Sequence, residues 1–133
     1  MNVVRICDIR GTDREVKCPR GSFTSFRALL ASDGMGFSVH KTVLPPGPPQ
    51  FWHYKNHLEA CYCIAGKAIV TEYDTGRQWL IYPDCMYVLD KNDRHTFQAI
   101  EETVLISIFN PPVTGTEVHD EDGSYQLVEE AHV

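Results

Sequence analysis

Apolar residues along this 133-residue chain come in short runs that alternate with polar ones. Turn-forming residues interrupt them about every 8–12 positions, the spacing of a sandwich or barrel. The runs predict strands over 3–7, 14–18, 22–30, 35–44, 57–65, 67–73, 78–82, 85–89, 95–100 and 103–109. Gly11-Thr12-Asp13, Asp33-Gly34, Asp74-Thr75-Gly76 and Lys91-Asn92-Asp93-Arg94 mark turns between them. No stretch keeps a helical apolar period long enough to predict a substantial helix. Pro45-Pro46-Gly47-Pro48-Pro49 cannot donate to a ladder and predicts a loop, and Pro111-Pro112 ends the last long strand. Neither cluster is long enough to separate two cores. The expectation is one all-β domain over 1–133, a small β-barrel with an acidic C-terminal segment over about 117–133.

Charge narrows the function more than the fold. The formal charge is −6, with 12 Lys and Arg against 18 Asp and Glu. Glu117, Asp120, Glu121, Asp122, Glu129 and Glu130 account for all of the excess. With no basic stripe, nucleic acid has no electrostatic footprint here. No apolar run approaches the roughly 20 residues that cross a bilayer, and Met1-Asn2-Val3-Val4-Arg5 lacks the apolar stretch of a signal peptide. A cytoplasmic protein with no membrane partner is expected. The cysteines Cys7, Cys18, Cys61, Cys63 and Cys85 are odd in number and hold no Cys-x-x-Cys pair, which fits reduced thiols in a reducing compartment.

Candidate chemistry lies around residue 59. Strand parity puts Glu59, Cys61 and Cys63 on one face, and that face is interior because free cysteine is among the most buried residue types. An interior glutamate must be paired, protonated or metal-bound. His57, Lys55 and His53 keep the same parity if the strand extends that far. Tyr87 faces oppositely to Met86 and Val88, and His95 follows the 90–94 turn. A His/Glu cluster before a glycine resembles the metal motif of the cupin barrels. The spacing from Glu59 to Gly66 is kept and His53 stands for the first histidine, but Lys55 replaces the second. A set of Glu, His and Tyr suits iron(II) or another borderline ion better than copper(I).

Longer segments carry a more specific likeness. Gly11-Thr12-Asp13-Arg14, Asp33-Gly34-Met35-Gly36-Phe37-Ser38, His53-Tyr54-Lys55-Asn56-His57-Leu58-Glu59-Ala60, Asp90-Lys91-Asn92-Asp93-Arg94-His95, Phe109-Asn110-Pro111-Pro112 and Glu117-Val118-His119-Asp120-Glu121-Asp122-Gly123 resemble ectoine synthase, in that family's order. The resemblance implies a cupin-type jelly roll that forms a cytoplasmic homodimer. It implies a hydro-lyase that makes a compatible solute under osmotic stress: N4-acetyl-L-2,4-diaminobutyrate closes to L-ectoine with loss of water. It further implies Fe2+, or other divalent ions in vitro, held by Glu59, Tyr87 and His95. Substrate contacts carry over to Arg27, Thr42, Tyr54 and Phe109, and proton transfer to Glu117 and His119; His40 and His57 are further pocket candidates.

Three departures touch the pocket wall. Phe23 stands where the family usually has Trp, Ser107 where it usually has Cys, and Pro48-Pro49-Gln50-Phe51-Trp52 replaces a more polar stretch. They leave two alternatives open: a diverged cupin acting on a related N-acyl diamine, and a non-catalytic protein that binds an ectoine-like ligand.

Overall fold

Ten strands form two antiparallel sheets around one core in the computed structural model, which describes residues 1–18, 23–120 and 123–125. The strands are β1 (Glu15–Lys17), β2 (Thr24–Leu29), β3 (Ser38–Leu44), β4 (Gln50–Trp52), β5 (Leu58–Ala65), β6 (Ala68–Glu72), β7 (Gln78–Ile81), β8 (Met86–Leu89), β9 (His95–Ala99) and β10 (Thr103–Asn110). One sheet runs β1-β2-β3-β10-β5-β8 and the other β4-β9-β6-β7. Alternation drives this arrangement, because buried and half-buried residues take strict turns along β3 and β9. Leu44, Cys61, Leu105 and Phe109 of the first sheet meet Trp52, Ala68, Val70, Ile81 and Phe97 of the second in one apolar cluster. The expected all-β jelly roll is therefore the observed fold. Among the described residues no helix is long and apolar enough to cross a membrane.

Two expectations change. The stretch 3–7 is not a strand: Val3 and Val4 lie exposed, and a short helix α1 (Ile6–Ile9) buries only Ile9. The run 35–44 becomes a strand only from Ser38, because Gly34 and Gly36 at φ 74° and 82° first turn the chain. Strand β4 was not foreseen; its three residues follow the proline loop and pair with β9, setting Trp52 opposite His95.

Beyond β10 the chain becomes a strap across the end of the barrel. Ala31 N–H donates to Val113 O at 2.9 Å, and Val113 N–H to Ser38 Oγ at 3.0 Å. Further on, His53 N–H donates to Gly123 O at 3.1 Å and Lys55 N–H to Ser124 Oγ at 3.0 Å. Gly123 has φ 69°, and a Cβ there would meet backbone of Phe51 and Trp52, the Trp52 Cα at 2.8 Å. Only glycine lets the strap lie this close to β4. Residues 126–133, with Glu129 and Glu130 of the acidic end, and residues 121–122 lie outside the described chain.

Candidate active site

Cross-strand register brings distant residues into one row on the interior face of the six-stranded sheet. Arg27 faces His40, His40 faces Ser107, Ser107 faces Cys61 and Cys61 faces Tyr87. In the row on one side Phe109 faces Glu59; in the row on the other, Ser25 faces Thr42 and Thr42 faces Leu105. Glu59 and Cys61 thus share the interior face, as do His40 and Thr42, and Ser107 and Phe109, as their two-residue spacing requires. From the second sheet His95 stands between Trp52 and Glu72. Arg27, His40, Thr42, His57, Glu59, His95, Ser107 and Glu117 are all buried. A core holds so many polar side chains only when they pair with one another or meet a ligand.

Of the three residues expected to hold a metal, Glu59 and Tyr87 line the interior cavity, and Tyr87 and His95 line a cleft beside it. Burial pushes the Glu59 carboxyl up to about 8, against opposing hydrogen bonds from Cys61 and Ser107. Burial likewise raises the Tyr87 phenol well above its ordinary range, with Cys61 and Glu59 adding to it. The His95 ring sits 6.2 Å from that of Tyr87. Its Nδ1 lies 3.0 Å from Asp93 O, so Nδ1–H donates and the Nε2 lone pair is left over. That Nε2 is buried and has no hydrogen-bond partner. Burial also keeps the ring neutral by lowering its pKa, only partly offset by the Asp93 carbonyl. Tyr87 lines the narrow cavity with Glu59 on one side and a cleft of about 410 Å³ with His95 on the other. Among the described residues no three His, Cys, Asp or Glu side chains gather as a metal site. A cation here therefore needs the Tyr87 phenol as a third donor. Carboxylate, phenol and imidazole together suit a borderline divalent ion, and the bare Nε2 and a buried carboxyl that faces no cation among the described residues fit such an ion.

Phe23, Thr42, Tyr54, Ser107 and Phe109 line the cavity wall. Thr42 Oγ1 and Ser107 Oγ are hydrogen-bonded at 3.0 Å. Cys61 lines it as well, on the interior face where strand parity sets it beside Glu59, and so do Trp52 and Tyr125, neither of which was expected as a site residue. Trp52 and Tyr125 sit on a three-residue strand and on the strap, where no long alternation points to them.

The strap supplies the remaining residues. His119 packs edge-on against Phe23 and Trp52 at 4.8 and 5.5 Å between centroids. Its Nε2 lies 2.5 Å from the Tyr54 hydroxyl. Burial, reinforced by Tyr125 and Glu59, holds that phenol well above its usual range, so Tyr54 donates to His119. Arg27 donates to Gly115 O at 2.8 Å and to Glu117 O at 2.6 Å, while its Nε donates to Ser25 Oγ at 3.3 Å. The Glu117 carboxylate accepts from Thr114 N–H, Thr114 Oγ1 and Gly115 N–H at 2.7–2.8 Å. His40 packs on Phe109 with Nδ1 at 3.2 Å from Ser25 Oγ, and His57 packs on both Phe109 and Tyr125. Each keeps one buried ring nitrogen without a partner.

Comparison with known proteins agrees with this geometry. The family model described as ectoine synthase matches residues 1–129. The L-ectoine synthase of Alkalilimnicola ehrlichii is 50% identical over 131 residues, covering 98% of each chain. That of Desulfatibacillum aliphaticivorans is 48% identical over 130 residues, 98% of this chain and all of its own. The crystal structure of ectoine synthase from P. lautus superimposes with a TM-score of 0.84 at 36% identity, over 98% of this chain and 94% of the other. A cupin domain from Schizosaccharomyces pombe, at 13% identity, a TM-score of 0.57 and coverage of 68% of this chain and 65% of its own, shares the fold alone. With a barrel, an interior polar row and relatives alike from end to end, the chain belongs to the ectoine synthase family.

Proposed function

We propose that this protein is a cytoplasmic, homodimeric L-ectoine synthase, a hydro-lyase that closes N4-acetyl-L-2,4-diaminobutyrate to ectoine during osmotic stress. The 2-amino nitrogen bonds to the acetamide carbonyl carbon, the carbon–oxygen bond of that carbonyl breaks, and one water leaves. The supporting observation is the unpartnered, buried Nε2 of His95 in the cleft on one side of the half-buried Tyr87, with the buried Glu59 in the cavity on its other side. Glu59, Tyr87 and His95 would hold Fe2+, which as a Lewis acid polarises an amide oxygen.

The chain's own groups do the remaining work. Arg27, the buried cation beside Tyr125, attracts the substrate carboxylate and at the same time holds the strap by two carbonyls. Thr42 and Ser107 offer hydroxyls to the polar end of the substrate, while Phe23, Trp52 and Phe109 exclude water from a step whose reverse is hydrolysis. Holding the amine within about 3–3.5 Å of the carbonyl carbon turns a flexible chain into a ring precursor. His119 takes the amine proton through the Tyr54 hydroxyl, which lines the cavity and is hydrogen-bonded to His119 Nε2. Glu117 acts by fixing the turn that carries His119, because its oxygens are already engaged by Thr114 and Gly115.

A second substrate is favoured by one observation: Phe23 and Ser107, both departures from the family, line the same cavity, so a related N-acyl diamine is the alternative substrate. The test is anaerobic incubation of iron(II)-loaded protein with N4-acetyl-L-2,4-diaminobutyrate, product being followed by NMR beside a chelated sample. Ectoine is expected only with metal, and Glu59→Ala and His95→Ala are expected to lose both turnover and metal while keeping the far-ultraviolet spectrum. Turnover at the parental rate in either variant overturns the assignment. Bound metal with no ectoine transfers it to the alternative substrate or to a binding role.

A further inference from the structure

The register that pairs Cys61 with Tyr87 and Tyr62 with Met86 sets Cys63 against Cys85 one step further on. Cys63 N–H donates to Cys85 O at 2.8 Å. The return bond to Cys63 O comes from Asp84 N–H at 3.0 Å, so two residues oppose one. This is a bulge, with Asp84 at φ 74° closing a turn in which Cys85 N–H donates to Tyr82 O. Both thiols face inward. Cys63 belongs to the buried cluster with Cys61, and Cys85 packs against that cluster beside Tyr87.

Directly opposed residues on neighbouring antiparallel strands have Cα atoms about 4.5–5.5 Å apart. Cys85 is still joined to Cys63 by one ladder bond at the bulge, so the pair falls in the neighbourhood of the roughly 4.4–6.8 Å that a disulfide spans. Both thiols are free. The Cys63 sulfur makes only a weak bond to Ala65 O at 3.3 Å, which a new partner displaces easily. The two also differ in access: Cys63 is fully buried, whereas Cys85 is partly exposed and lines the cleft beside Tyr87 and His95. An incoming oxidant therefore meets Cys85 first.

We propose that Cys63 and Cys85 form a reversible dithiol–disulfide site that hydrogen peroxide closes and a small dithiol reopens. The Cys85 sulfur attacks one peroxide oxygen, the O–O bond breaks, and water leaves with a sulfenic acid formed at Cys85. The Cys63 sulfur then bonds to that sulfur, the S–O bond breaks, and the departing hydroxide takes the Cys63 proton as water. Two thiols and one peroxide thus become one disulfide and two waters. The bond ties the start of β8 to β5, two residues from Tyr87, and closes a loop that contains β6 and β7 of the other sheet. The proposal is independent of the metal and of the substrate.

The test uses the full chain, exposed to peroxide, quenched, alkylated while unfolding and digested with trypsin. Cleavage after Lys67 and Arg77 separates the two cysteines, so peptides 56–67 and 78–91 are expected to travel as one species until a dithiol is added. Cys61 shares the first peptide. The linked species is expected to persist in Cys61→Ala and to vanish in Cys63→Ala and in Cys85→Ser, the latter at a half-exposed site that tolerates the change. The oxidised protein is expected to melt higher than the reduced one, a difference absent from Cys85→Ser. A link that survives in Cys63→Ala, disulfides only between chains, or Cys85 carried straight to sulfinic acid overturns the proposal.

Discussion

Glu117 is a buried carboxylate that stays charged. Burial raises its pKa, but the donors Thr114 N–H, Thr114 Oγ1 and Gly115 N–H together outweigh burial and leave it below the ordinary carboxylate value. A folded-state pKa below the unfolded one contributes stability above the unfolded value of 4.5, and that contribution disappears as pH falls through the folded value. Glu117→Gln keeps the shape and removes the charge, so hydrogen bonds to an anion become weaker neutral ones. The expected loss at pH 7 is about 1–2 kcal/mol. In denaturant titrations the gap between parent and variant should narrow as pH drops below 4.5 and be nearly gone once the parent carboxyl is protonated. A gap independent of pH would show that Glu117 does not hold the turn through its charge. The same bonds explain why the sequence could not rank Glu117 and His119. The resemblance implied both at the site, yet only the fold shows one carboxylate engaged by its own turn and one imidazole meeting Tyr54.

Among the elements, the strap is the one whose placement rests on backbone groups. Its carbonyls at 115 and 117 meet Arg27, its carbonyl at 123 meets His53 N–H, and Gly123 permits the close approach to β4. Gly123→Ala strains a positive φ and drives a Cβ into the Phe51–Trp52 backbone, at a cost of roughly 1–2 kcal/mol before any clash is relieved. The strap is expected to lift at that end, quickening proteolysis within 111–125 and changing Trp52 fluorescence, while the sheets melt as a unit much as before. Identical cleavage rates would mean that Arg27 alone seats the strap. Such an element has no side-chain period, which is why the sequence read it only as an acidic segment. The long strands were legible for the opposite reason, since β3, β5, β9 and β10 bury every second residue over much of their length. Strand β4 is too short to show a period after five loop residues rich in proline, so no alternation set Trp52 on the cavity wall. Parity could place Glu59 inward beside the thiols and turn Tyr87 away from Met86 and Val88, and donor chemistry grouped Glu, His and Tyr, but the ligand set as such came from the resemblance. The fold adds that register carries Tyr87 to Cys61, the neighbour of Glu59 on the same face.

At the scale of the molecule, the six-stranded sheet carries a polar row through its apolar interior and also presents apolar residues on its outer face, where a barrel that works alone in water would be polar. Register aligns Val88, Ala60 and Ile108 across β8, β5 and β10 on the outer face, with Leu58 next to them. Leu58, Val88 and Ile108 are 42%, 55% and 37% exposed, and β8 is an edge strand with one side unpaired. Contiguous apolar rows at a sheet edge invite pairing with another sheet, and natural proteins that remain monomers usually interrupt them with charge. The proposed homodimer accounts for this face, because each of these side chains would gain on the order of 1–2 kcal/mol when covered. Replacing Val88 and Ile108 by lysine places four like charges across a two-fold contact, two from each copy, and leaves the interior row untouched. Light scattering is expected to give twice the chain mass for the parent over the micromolar range and a single chain mass for Val88→Lys/Ile108→Lys, with an unchanged far-ultraviolet spectrum. A parent that scatters as one chain at every concentration would remove the homodimer, and a double variant that stays paired would move the contact to another face.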